Sequence, residues 1–319
     1  MKNFQKFWLV LVALLITTPA AFAQNDAPTG FTNQGGIAHT RHNMTQSTLT
    51  SGGGGVMNPY RNNYADVCVY CHTPHGANAN TAAPLWNRLL PTTTYTTYDE
   101  LNTSTLTQTV SQPGAASLPC LSCHDGSQAV DAIINMPGSG QYSTAAQPWT
   151  YVATAGTSRS ANHMGLSVSY LNTPGPGTVG GMFGAGSSCM SCHNPSAGTG
   201  DPGDATDFTA FNIGTDLRND HPVGVNYPTT SGVGTDWNTP SGSVTRGAAV
   251  TTFFDENVNT RMDKGDIRLY GSGSDSRVEC ASCHDPHGVP SAGVGSTIYP
   301  TFLRKTNTGS TVCLTCHNK

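Results

Sequence analysis

Cys280-Ala-Ser-Cys283-His284-Asp-Pro-His287-Gly288 is the stretch around which the rest of the chain falls into place. Two cysteines three positions apart share one side of a helical turn, and a histidine follows the second directly. This order is the attachment signal of a c-type haem. Two thiols one turn apart reach the two vinyl groups of a single porphyrin, and the adjacent imidazole meets the iron from the proximal side. The pattern recurs as Cys68-Val-Tyr-Cys71-His72, Cys120-Leu-Ser-Cys123-His124, Cys189-Met-Ser-Cys192-His193 and Cys313-Leu-Thr-Cys316-His317. The five motifs, numbered 1 to 5 in chain order, use all 10 cysteines.

Structural zinc draws four ligands per ion, usually from paired C-x-x-C knuckles; five pairs leave one unmatched, and zinc has no need of the following histidine. Disulfides suit a secreted chain but are equally indifferent to that residue. With 11 histidines in 319 residues, five chance placements have a probability on the order of 10⁻⁷. Five haems are expected.

Five proximal histidines leave His39, His42, His75, His163, His221 and His287. Five irons each need a sixth ligand, so bis-histidine ligation fits by count with one residue over. Methionine is the competing distal ligand and raises the potential. Met44, Met57 and Met262 are open to that role, which the histidine count makes unnecessary. His75 follows His72 in Cys71-His72-Thr-Pro-His75-Gly76, and His287 follows His284 in the same arrangement. The proline holds its predecessor extended and the glycine permits a turn. Two imidazoles from one short segment are poorly placed to reach opposite faces of one ring. The second should therefore serve a neighbouring haem. His163 and His221 lie in a weak internal repeat, Asn162-His163-Met-Gly-Leu-Ser-Val-Ser-Tyr170 against Asp220-His221-Pro-Val-Gly-Val-Asn-Tyr227, and read as distal ligands on returning loops. On the polar arm ahead of Ser51-Gly-Gly-Gly-Gly55, His42 is taken as a ligand and His39 as the spare or alternative.

Residues 1–23 read as a secretory signal: Lys2 and Lys6, an apolar run from Phe7 to Ile16, then Ala21-Phe22-Ala23, predicting cleavage before Gln24. The run is too short to span a bilayer, so no membrane anchor is expected and the destination is the periplasm or the exterior. Removing the two lysines takes the formal charge from −4 to −6, which leaves nucleic-acid binding without a basic footprint.

The chain is 11% charged and 36% hydrophobic, with 36 Gly and 20 Pro. An ordinary domain is about 25% charged and 45–50% apolar. The shortage of side-chain core is explained if porphyrins supply the apolar surface. The expected fold is mostly irregular and loop-rich, with short helical turns at the CxxCH sites, few short strands and a core of stacked haems. Residues 24–319 should form a single pentahaem cytochrome domain. The longest gap between motifs, residues 194–279, contains a charged stretch from Asp255 to Asp266 that reads as a solvated loop.

Asp66-Val-Cys-Val-Tyr-Cys-His-Thr-Pro-His-Gly76 followed by Ala83-Pro-Leu-Trp-Asn-Arg88 resembles the outer-surface multihaem cytochromes of the OmcE/OmcS type, which polymerise as extracellular nanowires. Cys120-Leu-Ser-Cys-His-Asp-Gly-Ser127, Asn219-Asp-His-Pro-Val-Gly224, Cys280–Gly288 and Phe302-Leu-Arg-Lys-Thr-Asn307 with Val312–His317 are similar elements of that family. The resemblance covers most of the chain after the signal. It implies loops wrapped around a continuous row of bis-histidine haems. It also implies that His75 ligates a haem of the adjacent subunit. The five motifs here fall between the haem counts of OmcE and OmcS.

Electron transfer is the function these features imply, since iron with both axial positions filled changes oxidation state with little change in coordination. Donors in the periplasm or outer membrane and extracellular acceptors such as metal oxides would be the partners of a homopolymer. A monomeric periplasmic shuttle is one alternative. A multihaem reductase is another, but catalysis needs an open iron, and neither a CxxCK variant nor a shortage of histidine is present. The chain reads as an electron carrier, not an enzyme.

Overall fold

The computed structural model describes residues 31–45, 64, 66–126, 128, 133–135 and 211–318. Motif 3 (Cys189, Cys192, His193), His163, Met57 and the signal at 1–23 lie outside the described residues.

Regular structure is sparse and gathers at the motifs. Helix α1 (Leu118–His124) carries motif 2, α2 (Cys280–Cys283) motif 4 and α3 (Thr311–Cys316) motif 5, while motif 1 opens on a 3₁₀ turn at Cys68–Tyr70. The i, i+3 cysteine spacing fits one turn. Pro119, whose missing N–H costs nothing in a first turn, starts α1. A capping box starts α2: Glu279 accepts the N3 amide and Ser282 accepts the Glu279 amide. Among the described residues no helix is long and apolar enough to cross a membrane.

Strands β1 (Val225–Asn226), β2 (Gly242–Arg246), β3 (Ala249–Phe253), β4 (Arg268–Tyr270) and β5 (Arg277–Val278) form one antiparallel sheet in the order β1-β5-β4-β3-β2. The β2–β3 hairpin pairs Arg246 with Ala249. Gly247 opens its two-residue turn at φ 61°, a positive value that matches the strand twist. The sheet occupies most of the longest gap between motifs. The Asp255–Asp266 stretch is the largely exposed link from β3 to β4, built on side-chain acceptors such as Asp255, which takes the Asn259 and Thr260 amides.

Three small apolar clusters replace a single core, and each abuts a motif. Tyr64, Val69, Tyr70 and Ile133 pack with Met44 and Cys71. Tyr95, Leu121 and Leu217 enclose α1. Tyr227, Phe254, Ile267 and Leu269 pack with Trp237, Cys283 and Cys316 between motifs 4 and 5.

Candidate haem-binding site

Three of the described motifs are each held by a returning segment of their own, with the same pattern of hydrogen bonds. In motif 1 the Thr73 amide donates to the Leu85 carbonyl and the Asn87 amide to the Cys71 carbonyl, both at 2.8 Å. The Asn87 side-chain amide donates to the Val69 carbonyl at 2.8 Å. Motif 4 repeats the set: Asp285 N–H to Phe302 O and Arg304 N–H to Cys283 O at 2.8 Å, with Arg304 Nε to Ala281 O at 3.0 Å. Motif 5 repeats it again with Asn318 to Asp236 at 2.8 Å, Asn238 N–H to Cys316 O at 2.9 Å, and Asn238 Nδ2 to Leu314 O at 2.9 Å. A short helix leaves its last carbonyls unpaired. Here a second piece of chain takes them up.

The same segments fix the proximal imidazoles. His72 Nδ1 lies 2.7 Å from the Pro84 carbonyl and His284 Nδ1 2.8 Å from that of Thr301. His124, whose motif has a different return, places Nδ1 2.7 Å from the Phe211 carbonyl. A carbonyl can only accept, so Nδ1 carries the proton and Nε2 keeps its lone pair. Local backbone strain accompanies this placement. Leu85, Thr301 and Phe302 sit at φ 56°, 54° and 59°, left-handed values that cost non-glycine residues energy.

The remaining histidines divide in two. His42 is half-buried, with Nδ1 3.0 Å from the Pro286 carbonyl, and its ring lies against Phe302 at a centroid distance of 4.1 Å. The arm that brings it there pairs Gln34 with Thr297. His287 Nδ1 lies 3.0 Å from Asp285 Oδ1. His39, His75, His221 and His287 are exposed. His221 Nδ1 meets only its neighbour's carbonyl, Pro222 O, at 3.1 Å. The His75 carbonyl is pinned by Thr73 Oγ1 and Asn135 Nδ2 at 3.0 and 3.1 Å while its ring faces outward. Two ring pairs stand out. His72 and His287 have centroids 6.0 Å apart and planes 11° apart, and His42 and His124 are separated by 6.2 Å and 75°.

Burial, opposed by the Pro286 carbonyl, holds His42 down at about 4, and burial also lowers His72 and His284. These imidazoles are neutral at pH 7, as metal ligands must be. Burial pushes the Cys71 and Cys316 thiols up to about 12 and Cys283 to about 11. Burial also raises Asp285, but the His287 donors and Arg304 outweigh it and hold the carboxyl at about 2.

Polar contacts stitch the motifs into a row. Arg88, fully buried, donates to the Ser122 hydroxyl and carbonyl at 3.2 and 3.0 Å, joining motif 1 to motif 2. Buried Glu279 accepts the Gly114 amide and the Ser117 hydroxyl, and Cys280 N–H donates to Ser117 Oγ at 2.8 Å, joining motif 2 to motif 4. Lys305 bonds Glu256 and, at 2.9 Å, Thr315 Oγ1, joining motif 4 to motif 5.

The donors fit a haem. The eight described cysteines are free thiols, set in pairs on single turns. Among the described residues no three His, Cys, Asp or Glu side chains converge as a metal cage would require, whereas imidazoles meet in twos, one pair near-parallel and one near-perpendicular. Asn87, Asn238 and Arg304 were not singled out as site residues from sequence. The recurring Trp86-Asn87 and Trp237-Asn238 dipeptides were the available signal. The return follows motifs 1 and 4 but precedes motif 5, so no fixed spacing marks it.

Residues 275–319 match the doubled CXXCH motif family, which covers motifs 4 and 5. No curated protein matches the chain. The paired motif is consistent with a c-type cytochrome: it indicates covalently bound haem and suggests electron transfer.

Proposed function

We propose that residues 24–319 form one secreted domain that conducts electrons through five covalently held bis-histidine c-type haems, as a subunit of an extracellular filament. The observation that carries this reading is the fixed tautomer at motifs 1, 2 and 4, where a carbonyl holds each proximal Nδ1 proton and leaves Nε2 for iron. When bound, each haem supplies a one-electron ferric–ferrous couple. The thiol pairs anchor it, the proximal imidazole fixes its orientation, and a second imidazole excludes water and substrate from the iron. The row of contacts from motif 1 through motifs 2 and 4 to motif 5 supports short steps between centres. The outward ring of His75 supports ligation across a subunit boundary, and extracellular metal oxides or electrodes are the acceptors that suit such a filament. Electron cryomicroscopy of secreted material should show polymers with haems in a continuous row; dispersed monomers would overturn the filament. Ferric spectra unchanged by nitrite or cyanide are expected of a carrier, and a high-spin component that binds either would favour a reductase.

A further inference from the structure

We infer that the two facing ring pairs are axial pairs: His72 and His287 hold one iron between them, and His124 and His42 hold a second. This rests on the haem reading above and assigns which distal residue serves which motif. Two His–metal bonds of about 2.0 Å, with about 1.1 Å from each nitrogen to its ring centre, place the centroids of opposed ligands roughly 6.2 Å apart. The observed separations are 6.0 and 6.2 Å. His42 also stacks on Phe302 at 4.1 Å, and His72 meets Trp86 edge-on at 6.2 Å.

The hydrogen bonds agree. All four Nδ1 atoms lie against acceptor oxygens: Pro84 O at 2.7 Å, Asp285 Oδ1, which also takes the His287 amide, at 3.0 Å, Phe211 O at 2.7 Å and Pro286 O at 3.0 Å. Each pair therefore presents two Nε2 lone pairs.

The haem of motif 1 thus takes its second ligand from motif 4, and the haem of motif 2 takes its own from the N-terminal arm. His39, His75, His163 and His221 remain for the other three irons. The two sites also differ in ligand-plane angle, 11° against 75°. Near-parallel imidazoles give low-spin ferric iron a rhombic electron paramagnetic resonance signal; near-perpendicular ones give a highly anisotropic signal.

The test is the resonance spectrum of the ferric, secreted holoprotein. His287→Gly should remove one rhombic signal, the same one removed by the double substitution Cys68→Ala/Cys71→Ala, and added imidazole should restore it. His42→Gly should remove one highly anisotropic signal, the same one removed by Cys120→Ala/Cys123→Ala. If a glycine variant is not secreted, His287→Met keeps a ligand and should convert the same rhombic signal to that of a His–Met site. An unchanged rhombic signal in the His287 variants, or loss of a signal that persists without motif 1, would overturn the pairing with the haem reading intact. A wild-type chain without covalent haem would overturn both.

Discussion

The side-chain amide of Asn87 donates to the carbonyl of Val69, the first residue between the motif 1 cysteines, at 2.8 Å. Asn238 in motif 5 and Arg304 in motif 4 make the equivalent bond from equivalent places. Asn87 is fully buried and also exchanges two bonds with the Asn135 backbone. Each buried carbonyl left unpaired costs about 1–3 kcal/mol. Asn87→Ala should therefore lower the thermal midpoint of the holoprotein, and Asn87→Asp should lower it further by turning an acceptor towards two carbonyls. Asn238→Ala, half-buried, should cost less. Thermal melts followed at a haem band check the order.

Asp285 accepts the Nδ1 proton of His287 and faces buried Arg304 at 3.5 Å. An anionic partner makes the imidazole a stronger donor and favours ferric iron. Asp285→Asn should raise the potential of one haem, and His287→Gly should abolish that difference. Potentiometric titration of the two variants, singly and combined, measures it; an unshifted potential in Asp285→Asn would count against the bond to a ligating imidazole.

Glu279 gives the fold a pH dependence. Burial raises its carboxyl above the ordinary 4.5, although Ser117 and Gly114 donate to it. The native chain therefore holds the Glu279 proton at pH values where the unfolded chain has released it. Stability from this group is complete below 4.5 and is lost as pH rises through the higher native value. Glutamine can keep the capping box and does not titrate. The midpoint of wild type minus that of Glu279→Gln should fall as pH rises across this window; parallel curves would show that Glu279 does not titrate differently in the two states.

Gly288, directly after His287, sits at φ 78°, and a Cβ there would come within 2.6 Å of Ile298. Left-handed backbone alone costs a non-glycine residue about 1–2 kcal/mol. Gly288→Ala should cost at least that much stability, lower the thermal midpoint, and disturb the iron signal that depends on His287. An intact signal with full stability would mean the turn does not position the ring.

The motifs were legible because covalent chemistry fixes their spacing locally: the thiols must share a turn and the imidazole must follow. The returning segments were not, because their partners are backbone carbonyls, which any sequence presents, and because Asn238 precedes its motif while Asn87 and Arg304 follow theirs. A few short strands are expected from sequence, but their place in the chain is not legible, for a related reason. β2 is exposed or half-buried along its length and β3, after its first residue, is half-buried up to buried Phe253, so Gly242–Phe253 lacks the clean apolar alternation that marks a strand with one buried face. His42 and His39 could be listed as alternatives from sequence, but their separation into a half-buried ring and an exposed one depends on where the arm docks, through Gln34 and Thr297.

Coulometric reduction of the secreted protein tests the central claim most directly, because it counts working redox centres per chain. The five CxxCH motifs predict uptake of five electrons, with the visible spectrum low-spin from the first to the last. Fewer than five electrons per chain, or a high-spin centre during the titration, would contradict it.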